Sequence, residues 1–187
     1  EIYPDNFTKR FAGPIGEIFE GSHRVGHFDG VATVVSRLFD LLRPTKAIFG
    51  EKDFQQLYLI RKLAKESYKD LEIIAAPTVR ESDGLALSSR NIRLNKTDRE
   101  AATVIFKALV VAKNSRTLEE ARRVMFEISS QEPLFKLDYA EVIDEADLAI
   151  ATQSTSKQRA IIAGWLNGVR LIDNMEMNLS SKTLGAR

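Results

Sequence analysis

The chain has 187 residues, 44% hydrophobic and 28% charged, enough to bury a core in one ordinary domain or two small ones. Lys and Arg number 27 against 26 Asp and Glu, a net charge of +1. That balance excludes an electrostatically driven nucleic-acid arm or a polybasic membrane anchor, but leaves room for a local basic pocket. With no Cys and only His23 and His27, disulfide scaffolds, thiolate zinc sites and cysteine nucleophiles are excluded, and no histidine-rich metal centre is expected.

No apolar run approaches the roughly 20 residues that a bilayer span needs, and no signal peptide is recognisable. The expectation is a soluble, cytoplasmic protein without membrane or nucleic-acid partners. The chain opens on Glu1 rather than Met, so processing and a longer parent both stay open.

In chain order, residues 15–20 (Ile-Gly-Glu-Ile-Phe-Glu) predict a short strand ending at Gly21. Val31, Val34, Val35, Leu38, Leu41 and Leu42 then recur at the three-and-four spacing of one helix face. Arg43-Pro44 ends that helix, because the residue before a proline is pushed out of the helical region. Lys46 to Phe49 predicts an apolar strand stopping at Gly50. A helix from about Asp53 to Ser67 follows, with Leu57, Ile60, Leu63 and Ala64 inward. Leu71 to Ala76 gives a third strand, closed by Pro77. Strands and helices alternating over short joints are the grammar of a parallel sheet with right-handed crossovers.

The grammar changes near residue 78. Residues 78–96 are polar and without period. Two helices follow, each read as opened by a capping box, Thr97 with Glu100 and Thr117 with Glu120. Their apolar faces are Val104, Ile105, Ala108, Leu109 and Ala112, then Ala121, Val124, Met125 and Ile128. Antiparallel strands are expected over 137–143, 159–165 and 169–175, with Asn167-Gly168 as a tight hairpin turn and Trp165 in the core. The expected division is an α/β domain over 1–78 and an α+β domain over 79–187.

Ligands of open parallel sheets bind outside the carboxyl ends of the strands. Gly50-Glu51-Lys52-Asp53 occupies such a place: Gly50 admits a close ligand, the first helix amides suit an anion, and Lys52 adds a compact charge. The same residues also read as a plain turn with Asp53 as N-cap and Lys52 solvated. Gln55 and Gln56 are either surface residues of the first turn or one of them reads a polar substrate. Arg80, Asp83, Ser88, Ser89 and Arg90 follow the third strand, where two hydroxyls and an arginine can grip a phosphate, or simply form a turn. Both clusters follow strands of one sheet and are expected to face one crevice. Arg24 and His27 precede a helix: His27 reads as structural, and Arg24 equally as a surface charge or as an anion contact reaching the same crevice.

Three stretches carry a resemblance: Arg24-Val25-Gly26-His27-Phe28-Asp29-Gly30-Val31-Ala32-Thr33-Val34-Val35, Phe49-Gly50-Glu51-Lys52-Asp53-Phe54-Gln55-Gln56, and Arg80-Glu81-Ser82-Asp83-Gly84-Leu85-Ala86-Leu87-Ser88-Ser89-Arg90-Asn91. With Arg170-Leu171-Ile172-Asp173-Asn174 near the end, they resemble the pantothenate synthetase family, in order and through essentially the whole chain. The resemblance implies a Rossmann-like parallel sheet followed by a small α+β lid with antiparallel strands, and typically a homodimer. It implies an ATP-dependent ligase: the pantoate carboxylate attacks the α-phosphate of Mg-ATP to give pantoyl adenylate, and the β-alanine amine then displaces AMP.

Carried over by motif, Gly50, Glu51, Lys52 and Asp53 line the ATP site, with Lys52 neutralising phosphate charge. Val79 would touch the adenine side through its backbone. Leu87, Ser88, Ser89 and Arg90 form a second ATP segment, with the serines and Arg90 on the phosphates. Lys52, Ser89 and Arg90 are the implied catalytic residues, and Gln56 and Arg24 the pantoate contacts. ATP with Mg2+ enters as co-substrate; no organic cofactor and no metal-ligating residue of the chain are expected.

The family's opening strands, its Gly-x-x-His-x-Gly-His loop and an upstream pantoate-binding glutamine have no counterpart in these residues. Val25 stands for the family's usual proline, and Leu87 for its usual methionine. The expectation is therefore a C-terminal portion whose sheet lacks its first strands, inactive alone. The competing expectations are a non-catalytic binding or scaffold protein that retains the second half of the fold, and another nucleotidyl-transferase.

Overall fold

Residues 8–177 and 179 are described by the computed structural model. They belong to two units, Glu1–Pro77 and Thr78–Arg187.

In the first unit, Gly13 adopts a φ of 71° and leads into a 3-10 turn at Pro14–Glu17; α1 (Glu20–His23) and α2 (His27–Leu42) follow. β1 (Lys46–Gly50) runs through a 3-10 turn at Glu51–Asp53 into α3 (Phe54–Ser67), which returns to β2 (Glu72–Ala76). β1 and β2 pair in parallel, Lys46 beside Glu72 through to Gly50 beside Ala76. This is the expected strand–helix–strand unit. Leu57 and Ile60 of α3 are fully buried, each worth roughly 1.5–3 kcal/mol of apolar burial. Phe39 of α2 meets Phe49 and Tyr68 edge-on, at ring separations of 6.4 and 5.3 Å.

Two expectations fail here. Residues 15–20 form turns and α1 instead of a strand. Their carbonyls go to a side chain rather than to a neighbouring strand: Gln55 Nε2 donates to Ile15 O at 2.7 Å and to Ile18 O at 2.9 Å. The helix after them begins at His27, four residues before the apolar period, and buries Phe28, Ala32, Ser36 and Phe39. Val31, Val34 and Val35 are only half-buried, and Leu38, Leu41 and Leu42 are exposed. The helix carries two apolar stripes, and the one with the aromatic rings packs within the unit; Phe28 clusters with Ala12 and with Leu59 of α3.

In the second unit, a bridge between Arg80 and Ala86 and a 3-10 turn at Ser89–Arg93 shape the polar segment. α4 (Lys96–Ala101), α5 (Thr103–Lys113) and α6 (Leu118–Ser130) precede β3 (Phe135–Asp144), β4 (Gln158–Leu166) and β5 (Val169–Met177). The sheet is antiparallel in the order β3-β4-β5. Ile105, Ala108 and Leu109 of α5 and Met125 of α6 close its core with Val142, Ala160, Ile162 and Leu166. Asn167 and Gly168 both have positive φ, 46° and 79°, which a two-residue turn with right-handed strand twist requires.

The cap at Thr117 forms, Thr117 Oγ1 accepting from Glu120 N at 3.0 Å, while the returning Glu120 Oε2 accepts from Arg116 N at 2.7 Å, one residue before the N-cap amide of a standard box. Thr97 caps nothing at a helix start. Asn95 does so two residues earlier, accepting from Asp98 N at 2.8 Å, because Asx side chains compete for the same orphan amides. Trp165 is 36% exposed rather than core, the one exposed position of β4, with the Arg170 guanidinium 5.7 Å from its ring centre.

Candidate functional site

Gly50 ends parallel strand β1, and the chain turns there into α3. Its φ of −72° is ordinary, and a Cβ added to it meets nothing within 4 Å. Neither backbone strain nor local packing within the described residues requires glycine here, so the residue leaves open space over the strand end. Asp53 stands at the N-cap of α3, but its side chain makes no capping bond. Asp53 thus holds the N-cap position of the plain-turn reading without supplying the capping bond, which leaves the first amides of α3 without that side-chain acceptor. Glu51 and Lys52 are half-buried and Asp53 is exposed.

The two glutamines of the first turn part company. Gln55 is buried and spent on the backbone: besides its two donations, its Oε1 accepts from Glu20 N at 3.1 Å. Gln56 is half-buried, which leaves it as the one of the pair suited to read a substrate. Arg24 Nη1 lies 2.9 Å from His27 Nε2. A guanidinium only donates, so the imidazole accepts at Nε2 and keeps its proton on Nδ1. Val25 and Gly26, between them, line a hollow of about 430 Å³ with Gly13, Gly16, Gly21 and Asp29.

In the second unit, Leu87 N donates to Val79 O at 2.9 Å, so the two ends of the loop are paired. Val79 and Leu87 are 64% and 49% exposed, an apolar pair placed beside a polar turn. Ser88 starts that turn, its Oγ accepting from Arg90 N at 3.2 Å; Ser89 is exposed. Arg90 Nη1 donates to Arg170 O at 3.2 Å. Val79, Leu87, Ser88, Ser89 and Arg90 thus share one segment, in which two exposed apolar side chains neighbour two hydroxyls and a guanidinium.

Arg80 and Asp83, grouped by the sequence reading with the phosphate-gripping residues, are engaged elsewhere. Arg80 Nη1 and Nη2 donate to Asp173 Oδ2 and Oδ1 at 2.6 and 3.0 Å. Asp83 takes both Nη atoms of Arg99, at 2.6 and 3.1 Å, and Glu81 takes a third bond from Arg99 at 2.6 Å. The Arg99 bond, seconded by the Leu85 amide, holds the Asp83 carboxyl below its ordinary pKa, and the two carboxylates raise that of Arg99. Arg99 carries no signal in the sequence, since a helix arginine sixteen residues from its partner looks like any solvated charge. Among the described residues there is no group of three or more His, Asp or Glu side chains able to hold a metal ion. No helix among them is long and apolar enough to cross a membrane.

Comparison with known proteins supplies the family. Residues 1–176 match the family model described as pantoate-beta-alanine ligase. Pantothenate synthetase of Thermus thermophilus is 42% identical over 183 residues, covering 95% of this chain and 66% of the relative. That of Chlorobium chlorochromatii is 46% identical over 186 residues, covering 95% of this chain and 64% of the relative. A crystal structure of the Thermus thermophilus synthetase superposes with a TM-score of 0.89 at 41% identity, covering 94% of this chain and 66% of that one. The Francisella tularensis pantoate-beta-alanine ligase, described as complexed with beta-gamma ATP and beta-alanine, superposes at 0.70 with 36% identity, covering 94% and 60%. This chain therefore spans just under two thirds of the length of the relatives it matches. With the family model running through both units, the chain belongs to the pantoate-beta-alanine ligase family.

Proposed function

We propose that the chain supplies the nucleotide-contacting loop of β1 and the lid of an ATP-dependent ligase that joins pantoate to β-alanine. The observation that carries this is the build of residues 79–90: an exposed apolar pair, Val79 and Leu87, beside Ser88, Ser89 and the Arg90 guanidinium. Such a segment suits a purine on one side and phosphate oxygens on the other. Gly50 to Asp53 make a separate contribution, with the helix amides and Lys52 acting on phosphate charge. ATP enters with Mg2+ as substrate, the metal being held mainly by the nucleotide's phosphates.

The chemistry runs in two displacements. A pantoate carboxylate oxygen attacks the α-phosphorus, the bond to the β-phosphate oxygen breaks, and pyrophosphate leaves. The β-alanine amine then attacks the acyl carbon, loses a proton, and AMP leaves with the former carboxylate oxygen. Charge neutralisation by Lys52 and Arg90, a hydrogen bond from the Ser89 hydroxyl to phosphate and orientation of pantoate by Gln56 and Arg24 carry the catalysis, since adenylyl transfer asks for little covalent help. The complete ligase works in the cytoplasm as a homodimer.

The test is direct. The 187-residue chain is incubated with Mg-ATP, pantoate and β-alanine; pantothenate is followed by mass spectrometry, and nucleotide binding by calorimetry. Binding of ATP without turnover is expected, with binding reduced in Lys52→Ala and Ser89→Ala. Turnover would overturn the expectation of inactivity, and binding indifferent to both substitutions would overturn the site.

A further inference from the structure

Loops that carry ligand contacts are usually mobile, but residues 79–91 are held from several sides. The Arg80 guanidinium faces two ways. It forks onto the Asp173 carboxylate in β5 at 2.6 and 3.0 Å and onto Asn174 O at 3.3 Å, and it turns back to its own loop at Gly84 O, 3.1 Å away. The ring of Phe106 in α5 lies 4.9 Å from the guanidinium carbon. The same ring closes on Gly84, where an added Cβ would stand 2.0 Å from it. Further along the loop, Arg90 donates to Arg170 O, also in β5.

Asp173 is 4% exposed and also accepts from Asn174 N at 2.8 Å. A buried ion pair repays its desolvation poorly, and apolar residues of equal volume often serve stability as well. What the pair does provide is geometry. A planar fork on a carboxylate fixes Arg80 in distance and angle, and Arg80 is bridged to Ala86, the residue before Leu87 and Ser88.

We propose that Asp173 is a positioning residue for nucleotide binding: through Arg80 it fixes the loop that presents Val79, Leu87 and Ser88, without touching the nucleotide itself. This rests on the reading of residues 79–90 as an ATP segment. The experiment has two arms on the full 187-residue chain, comparing wild type with Asp173→Asn, which keeps the shape and loses the charge. Amide hydrogen exchange without nucleotide should show the Leu87 and Arg90 amides at least tenfold less protected, with those of the β3–β4 ladder unchanged. ATP titration followed by amide shifts, which reads weak affinities, should show at least tenfold weaker binding, the scale expected of a displaced contact group. Glu141→Gln, which breaks the Arg122–Glu141 pair between α6 and β3, should lower thermal stability and leave both readouts at wild type.

Unchanged Leu87 protection in Asp173→Asn overturns the proposal, as does lost protection with undiminished ATP affinity. If Asp173→Asn does not fold, Arg80→Lys replaces it: the charge stays, the fork is lost, and the same two losses are required. Indifference of ATP binding to Ser89→Ala and Arg90→Ala, or no binding at all by the wild type, overturns the nucleotide reading, and the positioning role falls with it. A normal response to those two variants with none in Asp173→Asn overturns the positioning role alone.

Discussion

Gln55 receives the Glu20 amide at 3.1 Å on a carboxamide oxygen that lies one residue before the glutamine suited to substrate. Its nitrogen at the same time serves two carbonyls, those of Ile15 and Ile18. One side chain thereby replaces a strand neighbour for the 15–20 segment. Gln55→Ala should destabilise the first unit by about 1–3 kcal/mol, the cost of buried backbone groups left without partners. Gln56→Ala should stay within about 0.5 kcal/mol of wild type, as surface changes do. Urea unfolding of the two variants checks this; equal losses would mean that Gln55 is no brace.

Asp83 and Arg99 set an acid limit on the loop. A carboxyl whose folded pKa lies below its unfolded value contributes stability that is complete above the unfolded value and lost as the pH falls through the folded one. Asp83 is lowered, chiefly by the Arg99 bond, so its contribution disappears only on the acid side of the ordinary carboxyl range. Arg99→Gln should return the Asp83 carboxyl toward its ordinary value. Carbon NMR titration of the side-chain carboxyls reads it; no movement would locate the cause in the Leu85 amide instead.

Tyr68 sets the opposite limit. Its hydroxyl shares its one proton between Ser36 O at 3.0 Å and Asp40 Oδ1 at 2.9 Å, and burial with the Asp40 bond raises its pKa above that of an ordinary phenol. A raised folded value means stability that is full below the ordinary phenol pKa and lost as the pH climbs through the raised one. Tyr68→Phe should cost about 1 kcal/mol at neutral pH and remove this alkaline loss. Chemical denaturation at neutral and alkaline pH tests both parts, and a retained alkaline slope in the variant would refute the assignment.

Gly84 has a φ of 90° and no room for a Cβ beside Phe106. Gly84→Ala combines a disfavoured backbone with a clash and should cost about 2–4 kcal/mol. Pairing it with Phe106→Leu should recover part of that loss in thermal melts. No recovery would mean that the backbone alone sets the cost.

Legibility followed the range of the interactions. The Asn167-Gly168 turn, the Thr117 cap and the apolar faces of α5 and α6 could be read from residues a few places apart, and they form as expected. So does the strand–helix–strand unit from Lys46 to Ala76. Apart from the Thr97 cap, lost to Asn95 two residues earlier, what failed depended on partners far along the chain. Residues 15–20 have the composition of a strand, but Gln55 takes their carbonyls from 35 or more positions away. α2 offered two apolar stripes, and only the Phe28–Leu59 contact decides which is buried. Of the candidate site, residue types and order were legible; the engagement of Arg80 by Asp173, 93 positions on, was not.

The Asn167-Gly168 turn also bears on the order of assembly. It joins β4 and β5 over the shortest connection that can reverse a chain, with every pair from Leu166–Val169 to Gln158–Met177 in register. Closing it costs little chain entropy, and such hairpins form in roughly 1–10 μs. The parallel pairing of β1 with β2 must wait until residues 51–71 have been brought round as a helix, a slower, less local event. The β4–β5 hairpin is thus able to zip before the parallel pair β1–β2. Pulse-labelled hydrogen exchange during refolding should protect the amides of β4 and β5 before those of β1.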